Sequence, residues 1–393
     1  MERAARPILI PVLLLASAIH AQTLTSALVT ASRCAGLQAS PMVRVWARNF
    51  ANVLATDLNQ NPASIAAGAG MIDSSQGEMG PILLEHTHTI GQGQINVNAP
   101  VQPSLLTADD GMDLSHLSGP GDIVLQPTEG PTVAAQLDYD IDIRLWAIAP
   151  SITYGVTDRL DLSALLPIVH LAADITGMNR PVQALSTTGQ FEPIPRSERT
   201  TIRSRQVLSV LGVGDLNIRA RYQIHPAWAA TLAVQFPTGN PDNGLGTGDY
   251  WMSPKLVGTL GLFHHRAEVN WNIGLNLDLN TIDASEVAYG VGLAARLWPD
   301  WAGVVEFLGR SQLGANVFAL DTGTLYLLPT GVLDSRSFLG MEFGRRDFFT
   351  LAFGLRGRLP LGLVAFVAGV VPLNDAGFQA RPVTPVMGIG ATF

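Results

Sequence analysis

His86 and His88 are the residues whose types and spacing come closest to those of a metal site. They lie two residues apart, so in an extended segment both side chains would share one face and could reach one ion. Two ligands are fewer than the three or four that a zinc site uses, and Glu85 would point to the opposite face. We therefore interpret the pair as ordinary polar residues, and we expect neither a metal nor a cofactor.

Other motifs for catalysis or phosphate binding are incomplete. The Gly-rich stretch at 244–248 is followed by no Lys-Ser/Thr and opens no helix, so it lacks parts of a phosphate-binding loop. The sequence contains no Gly-x-Ser-x-Gly elbow, and Ser163 with His170 has no evident orienting partner. The net charge of −8 argues against a nucleic-acid partner, because phosphate binding needs basic clusters. We expect the protein not to be an enzyme.

Charged and polar side chains instead recur at every second position. In residues 268–279 the polar positions are Glu268, Asn270, Asn272, Asn276 and Asp278, and the apolar positions are Val269, Trp271, Ile273, Leu275, Leu277 and Leu279. Similar alternation occurs in residues 137–145, 215–224 and 349–359. Successive side chains of a strand point to opposite faces, so each segment predicts a strand with one polar and one apolar wall. A strand of about 9–11 residues crosses a hydrocarbon core at a tilt.

Composition favours a membrane barrel over a soluble β-sandwich, whose strands also alternate. Only 14% of the 393 residues are charged and 47% are hydrophobic, whereas about a quarter of a soluble protein is charged. After the first twenty residues or so, no apolar run reaches the length of about eighteen that a membrane-spanning helix needs. A chain that is apolar on average, but never for long, fits strands that show every second residue to lipid. The sequence therefore predicts an all-β fold, an antiparallel transmembrane β-barrel.

Residues 1–21 have the pattern of a secretory signal peptide. Arg3 and Arg6 precede a short apolar stretch, which small residues follow. Cleavage is expected near Ala18 or after Ala21. The alternative, an anchoring helix, is disfavoured because the apolar stretch is too short to span a bilayer comfortably.

Residues 22–80 differ from the rest of the chain. Apolar residues at helical spacing predict a helix over 43–58, and the small, Gly-rich stretch that follows is typical of a loop. This short, partly helical N-terminal segment either plugs or caps the barrel or is a loosely ordered leader, and the sequence leaves both open. The transmembrane barrel is assigned to residues 81–393.

Short and long connections alternate in the barrel region. Short turns are predicted at 156–159, 225–228, 263–266, 298–301 and 359–362, and longer polar loops at 176–204, 237–249, 280–285, 312–346 and 374–382. In bacterial outer-membrane barrels the short turns face the periplasm and the strand number is even, so the pattern predicts about twelve strands.

Alternation also predicts which charged side chains face the lumen. The set is Asp138, Asp140, Asp142, Arg144, Asp215, Arg219, Arg221, Glu268, Asp278, Arg296, Glu306, Arg310, Arg356 and Arg358. Charges of both signs either line a polar channel that bears an electric field or pair across the barrel and fill it. Both interpretations stay open at this stage.

Five stretches follow one another in a familiar order. They are Gly80–Glu85 with Thr89–Gly93, Tyr154–Ser163 with Leu166-Pro167, Gly212–Leu216, Phe236–Gly239 with Leu245–Gly248, and Pro372–Asn374 with Gly377-Phe378. With them the chain resembles the family of outer-membrane barrels described as "MetA-pathway of phenol degradation". The resemblance implies a barrel that passes small hydrophobic or aromatic compounds across the outer membrane. One stretch departs from it, since the family continues after the glutamate with Arg-Ala-Glu, where this chain has His86-Thr87-His88.

We accordingly expect an outer-membrane channel or transporter for the passive uptake of small, hydrophobic or aromatic compounds, reached by export through the periplasm. Its expected partners are the membrane lipid, the solute and the outer-membrane assembly machinery, which would recognise the C-terminal strand that ends in Phe393. The alternative is a non-transporting surface barrel that presents long extracellular loops to partners. A barrel enzyme would need a Ser/His/carboxylate constellation at one rim.

Overall fold

The computed structural model describes residues 22–32, 41–59, 65–66, 80–109, 111–118, 123–125, 133–188, 190–264, 266–314, 325–327, 333–335, 346–380 and 382–393. The predicted signal peptide, residues 1–21, lies outside the described residues, as do parts of the predicted N-terminal segment and most of the predicted loop at 312–346.

Twelve long strands form a closed antiparallel barrel in the described part of the chain. They are β1 (Ile95–Leu106), β2 (Val133–Ile148 and Ser151–Thr157), β3 (Leu160–Leu165 and Ile168–Leu185), β4 (Ile202–Val213 and Leu216–His225), β5 (Trp228–Phe236), β6 (Trp251–Leu262), β7 (Ala267–Asp278), β8 (Glu286–Trp298), β9 (Trp301–Gln312), β10 (Asp347–Arg358), β11 (Leu363–Pro372) and β12 (Thr384–Thr392). Each strand pairs with the next, and β12 pairs with β1 from Asn96↔Thr392 to Val101↔Met387. The predicted fold class and strand number are confirmed.

Smaller elements decorate the barrel. Short strands lie at Ala108–Asp109, Met112–Asp113, Leu117–Ser118, Ile123–Leu125, Phe191–Pro193, Leu325–Leu327, Leu333–Ser335 and Phe378–Gln379, and 3-10 turns lie at Leu114–His116, Arg196–Glu198, Pro241–Asn243, Ile282–Ala284 and Pro360–Gly362. The short turns occur where the sequence predicts them, for example Thr157↔Leu160 and Trp298↔Trp301. We take this end of the barrel as periplasmic, because short turns face the periplasm in outer-membrane barrels.

Three neighbouring strands are longer than a membrane crossing needs and are interrupted at one level. The breaks fall at Ala149-Pro150 in β2, Leu166-Pro167 in β3 and Gly214-Asp215 in β4. Proline has no N–H to give to the ladder, which explains two of the three breaks. Backbone bonds from Leu166 N to the Pro150 oxygen (3.2 Å) and from Gly214 N to the Pro167 oxygen (2.8 Å) keep the strands aligned across the breaks. The strand segments beyond the breaks, 133–148, 168–185 and 202–213, are called the extended wall below.

Part of the predicted loop at 176–204 is therefore strand. β3 continues to Leu185 and β4 begins at Ile202, and the two pair from Ile202↔Asn179 to Val213↔Ile168. The polar side chains that suggested a loop lie on a strand face that the solvent reaches. Polarity alone does not distinguish a loop from a strand that extends beyond the membrane.

Two helices lie against the inner face of the extended wall. They are α1 (Leu24–Ala31) and α2 (Pro41–Asn59), and α2 occurs where apolar spacing predicts a helix. Thr23 begins α1 as its N-cap, accepting from Ser26 N at 3.1 Å. Trp46 of α2 stacks on Tyr139 of β2 with ring centroids 4.7 Å apart, and the Tyr139 hydroxyl donates to the Leu28 oxygen at 3.2 Å. Neither helix is long and apolar enough to cross a bilayer, considering only the described residues.

Close approach of α1 to the wall requires a glycine. A Cβ atom on Gly177 of β3 would lie 2.1 Å from the Ala31 oxygen, at the last residue of α1. Beside it, the Asn179 amide donates to the Ser32 oxygen at 2.6 Å and ties the end of the helix to the strand. The end of α1 therefore lies close to β3, because Gly177 has no side chain there and the Asn179 amide donates a hydrogen bond to it.

The outer part of β2 has the opposite orientation to the one that the sequence predicts, and the two helices are the cause. Asp138, Asp140, Asp142 and Arg144 do not face the lumen; they lie on the outward face of the extended wall. The alternate residues Leu137, Tyr139, Ile141, Ile143 and Leu145 are buried and form one apolar core with α1 and α2. The physical reason is that the helices supply an apolar partner inside the barrel at this height, so burial of the apolar face outweighs the usual arrangement.

Candidate functional site

Residues 80–94 run through the barrel interior and connect the N-terminal region to β1; they are called the luminal segment. The carboxylate of Glu306 in β9 accepts from three successive backbone N–H groups, those of Ile82 (3.0 Å), Leu83 (2.9 Å) and Leu84 (3.2 Å). Arg356 of β10 donates to the Pro81 oxygen at 2.7 Å. These backbone N–H and C=O groups of the luminal segment belong to no sheet, and charged side chains of the barrel wall supply their hydrogen-bond partners.

Glu85 continues this attachment on the opposite wall. Its Oε1 lies 3.3 Å from Arg219 Nη1 of β4 and 3.5 Å from Lys255 Nζ of β6. Gly80, at the other end of the same stretch, donates its N–H to Glu268 of β7 at 3.3 Å. The segment is thus fastened to strands on both sides of the barrel, which fixes its path across the lumen.

The segment then descends to the periplasmic end. The Thr87 hydroxyl donates to the Pro226 oxygen at 2.8 Å, and Ile90 N donates to the Asp161 carboxylate at 3.2 Å. A Cβ on Gly155 would lie 1.8 Å from the Gly91 oxygen, so only glycine permits the final approach of the segment to β2. The segment leaves the lumen between the periplasmic ends of the strands and enters β1.

A central cavity of about 280 Å³ lies above the luminal segment, and residues from all twelve described barrel strands contribute to its lining. Leu83, Leu84 and Glu85 form its floor. Asp57 at the end of α2 and Phe378 of the loop before β12 are among the residues on the side of the N-terminal helices, and Phe378 N donates to Asp57 at 2.8 Å. The cavity therefore occupies the barrel axis between the segment and the helices.

The cavity has two chemically different walls. The wall from β4 to β7 is mostly polar, and it includes Asp215, Asn217, Arg219, Gln235, Ser253, Lys255, Asn272 and Asn276. The wall from β9 to β11 with the following loop is mostly apolar, and it includes Leu308, Phe348, Val370, Pro372 and Phe378. Arg310 of β9 also lies on this wall, with its guanidinium 4.2 Å from the centre of the Phe348 ring. Such a cavity offers hydrogen bonds on one side and apolar contact on the other, which suits a small amphipathic molecule.

The remaining predicted lumen residues have different places. Asp215 is buried and holds the loop after β5, accepting from Gly239 N (2.9 Å) and Thr247 N (2.8 Å). Arg221 contacts His86 Nε2 and the His88 oxygen, both at 3.3 Å. Arg310 pairs with Glu286 at 3.2 Å and with Asp57 at 3.8 Å. The structure thus brings Arg219, Arg221, Glu268, Glu306, Arg310 and Arg356 to the luminal segment or the helix end.

Three predicted residues lie apart from the cavity lining. Asp278 is buried beyond the end of β7, where it accepts from Asn280 N and Thr281 N. Arg296 and Arg358 lie at the periplasmic ends of β8 and β10, and Arg296 is exposed. All three residues therefore lie near an end of the barrel and not beside the central cavity.

Sequence reasoning missed several residues of the site. Lys255 alternates with Trp251 and Ser253 along β6, so the period of two would have found it. Glu286 begins β8 and Asp57 lies on α2, and no spacing in the sequence links them to Arg310. Glu85 lies outside every strand, and its role follows only from the path of the luminal segment.

The candidate catalytic and metal residues have structural partners. His86 and His88 lie with ring centroids 6.5 Å apart, and within the described ranges no group of three or more potential metal ligands occurs. His170 Nε2 lies 3.0 Å from Ser209 on the wall, while Ser163 bonds Thr153 at 2.8 Å. Ser163 and His170 are therefore each engaged with a different residue.

The closed barrel, its outward apolar side chains and the charged residues that hold an internal segment define an outer-membrane β-barrel protein. The chain belongs to the family described as "MetA-pathway of phenol degradation", whose model matches residues 119–356.

Solved outer-membrane barrels resemble the chain at low sequence identity. One is an outer membrane channel from Pseudomonas putida F1, with 12% identity, coverage of 78% of this chain and 98% of that one, and a TM-score of 0.45. Another is a Pseudomonas aeruginosa FadL homologue, with 11% identity, coverage of 84% and 97%, and a TM-score of 0.38. A third is the Pseudomonas putida toluene transporter TodX, with 10% identity, coverage of 76% and 88%, and a TM-score of 0.33. No curated protein matches the chain.

Proposed function

We propose that the protein is a channel for the passive uptake of small, hydrophobic or aromatic compounds across the outer membrane. The observation that carries the proposal is the axial cavity, which every described barrel strand helps to line and which has one apolar and one polar wall. The description of the family also points to phenol breakdown, and a phenol combines an apolar ring with one polar group.

Passage through the barrel needs a shift of the luminal segment, which forms the floor of the cavity. Its attachments are hydrogen bonds and ion pairs to the wall, together with apolar packing of Ile82 and Leu83 against residues of β9 to β11. We propose that residues 22–80 act as a plug together with this segment, and that solute passage accompanies a local rearrangement.

Flux through the purified full-length protein tests this function. Liposomes containing the protein are expected to take up phenol, benzyl alcohol and benzoate faster than protein-free liposomes, and planar bilayers to show discrete conductance steps. Glu306→Ala, which frees the segment, is expected to raise the conductance. Absence of flux and of conductance in both the natural protein and this variant would overturn the proposal.

A specific observation favours a second candidate, the non-transporting surface barrel. The luminal segment crosses the lumen and is held on opposite walls by Glu306 and by the Arg219 and Lys255 pair. A permanently closed barrel would present its extracellular loops to partners without passing solutes. The flux experiment decides between the candidates, because only the channel passes solutes in the natural protein.

We further propose that the assembly machinery recognises β12. Phe393 follows β12, is largely exposed, and exchanges backbone bonds with Ile95 at 3.0 and 2.8 Å. Met387 and Ile389 of the same strand are also exposed, so the strand offers an apolar face. Phe393→Ala is expected to reduce the amount of folded barrel in the outer membrane, whereas Leu361→Ala in an exposed turn is the matched control. Equal amounts for both variants would contradict this.

A further inference from the structure

In the described part of the chain, three cationic side chains line the central cavity, and each is more exposed than the carboxylates that neutralise it. Lys255 and Arg219 are 22% and 12% exposed, whereas their shared partner Glu85 is 4% exposed. Arg310 is 19% exposed, and its partners Glu286 and Asp57 are 2% and 13% exposed. In each ion pair the cationic side chain is therefore more accessible from the cavity than its carboxylate partner.

The remaining carboxylate of the lining does not change this. Asp215 is buried, and its oxygens accept from Gly239 N, Thr247 N and Gln235. Among the described residues the lining holds three cations and three carboxylates, and the greater exposure of Lys255 and Arg310 biases the surface that a solute meets toward positive charge. A low-dielectric wall strengthens such a local field, so the cavity discriminates by charge.

The positive and apolar walls face each other across the axis. Lys255 and Arg219 lie on the β4 to β7 side, and Phe348 and Val370 lie on the β9 to β11 side, where Arg310 lies 4.2 Å from the centre of the Phe348 ring. A cavity of about 150 Å³ suffices to hold benzene. The central cavity, at about 280 Å³, has room for one substituted ring together with a charged group and some water.

We infer that the central cavity binds small organic anions with an apolar body, aromatic carboxylates above all. The carboxylate lies toward Lys255 and Arg219, and the ring lies against Phe348 and Val370. The inference rests on the proposed channel function and names its substrate class. It separates this barrel from one that admits neutral hydrocarbons without regard to charge.

Binding of matched probes to the purified full-length protein in detergent tests the inference. Benzoate, benzyl alcohol and acetate separate the contribution of the charge from that of the ring, and calorimetry gives each affinity. Benzoate is expected to bind at least about tenfold more tightly than either of the others, and more weakly as salt rises. Equal binding of benzoate and benzyl alcohol, or no salt dependence, would overturn the inference without any variant.

Variants locate the anion site. Lys255→Gln is expected to weaken benzoate about tenfold and to leave benzyl alcohol unchanged, while Lys255→Arg restores benzoate binding. Arg219 still pairs with Glu85 in both variants, so no buried charge is left alone. Arg205→Gln removes a cation that pairs with Asp174 on the outward face, and it is the matched control. Loss of both ligands in Lys255→Gln, or of benzoate in Arg205→Gln, would contradict the assignment.

The experiments distinguish a wrong anion preference from a wrong transport function. If benzyl alcohol crosses liposomes at the same rate as benzoate and binds as tightly, the channel function stands and the anion preference falls. If neither compound crosses while benzoate still binds preferentially, the anion site stands and the transport function falls. Flux and calorimetry therefore report on the two statements separately.

Discussion

The lower barrel, which comprises the barrel strands outside the extended wall, uses the same strand alternation as the extended wall but in the opposite sense. In β7 of the lower barrel, Glu268 and Asn270 are buried on the lumen side, and Ile273 is exposed on the outward side. In the outer part of β2, Ile143 is buried on the inner side and Asp142 lies on the outward face. The two regions differ in their inner partners, because α1 and α2 pack inside the extended wall and the luminal segment crosses the lower barrel.

The difference shows that a period of two identifies a strand without identifying its inner face. Around the lower barrel the apolar face turns to lipid, so polar groups must pair inside. The extended wall has α1 and α2 inside it, and Trp46 and Leu28 provide the apolar partner for its inner residues. The inner face is therefore set by the neighbour that each strand acquires.

The largest effect is expected in the polar lumen of the lower barrel. Glu306→Ala removes the acceptor of three backbone N–H groups and one carboxylate near Arg356. Three buried donors that lose their partner cost on the order of 3 kcal/mol or more, less where water replaces the carboxylate. The luminal segment should become accessible to protease, and single-channel conductance should rise.

Glu198→Ala is the control for this variant, since Glu198 is exposed in a 3-10 turn outside the lumen. If the two variants gave the same protease pattern and conductance, Glu306 would not be the attachment that closes the lower barrel.

Ile143→Asp tests the apolar interior of the extended wall. Ile143 is completely buried in the core formed with α1 and α2. Loss of its apolar contact together with a buried charge is expected to cost about 3–5 kcal/mol. Urea unfolding should shift accordingly, and trypsin should cleave α2 at Arg44 and Arg48 more rapidly. Ile143→Leu keeps the apolar contact and should change neither measurement by much.

Val305→Lys tests the outward face of the lower barrel. Val305 lies in the middle of β9 and is half exposed, beside Leu293 of β8. A lysine near the middle of the bilayer costs about 2–4 kcal/mol, which folding into liposomes at graded urea concentrations would measure. Asp140→Lys, on the outward face of the extended wall, should cost little. Equal costs would mean that both faces meet the same surroundings.

The smallest effect is expected for the charge pairs of the extended wall. Asp142 and Arg144 form an exposed ion pair at 3.0 Å. Exposed pairs contribute about 0–1 kcal/mol, so Asp142→Asn should leave the urea midpoint almost unchanged. A large loss of stability would indicate that this face is covered in the membrane, contrary to the comparison.

Particular residues show how far the sequence predicts the site. Glu268 and Glu306 could be assigned from alternation, because their strands have lipid on one side and the lumen on the other. The same reasoning fails for Asp138 and Asp140, because helices far away in the chain occupy the inner side. Glu85 could not be assigned at all, since its partners Arg219 and Lys255 are more than a hundred residues distant.

Local alternation, turn residues and helical spacing sufficed to predict the period of the strands, the short turns, the strand number and a helix over 43–58, which is observed at Pro41–Asn59. The inward face of each strand, the path of residues 80–94 through the lumen and the exposure of the cations in the cavity follow from the folded structure alone. These depend on contacts between segments that are distant in the chain, and a side chain is buried or exposed according to the partner that folding places against it.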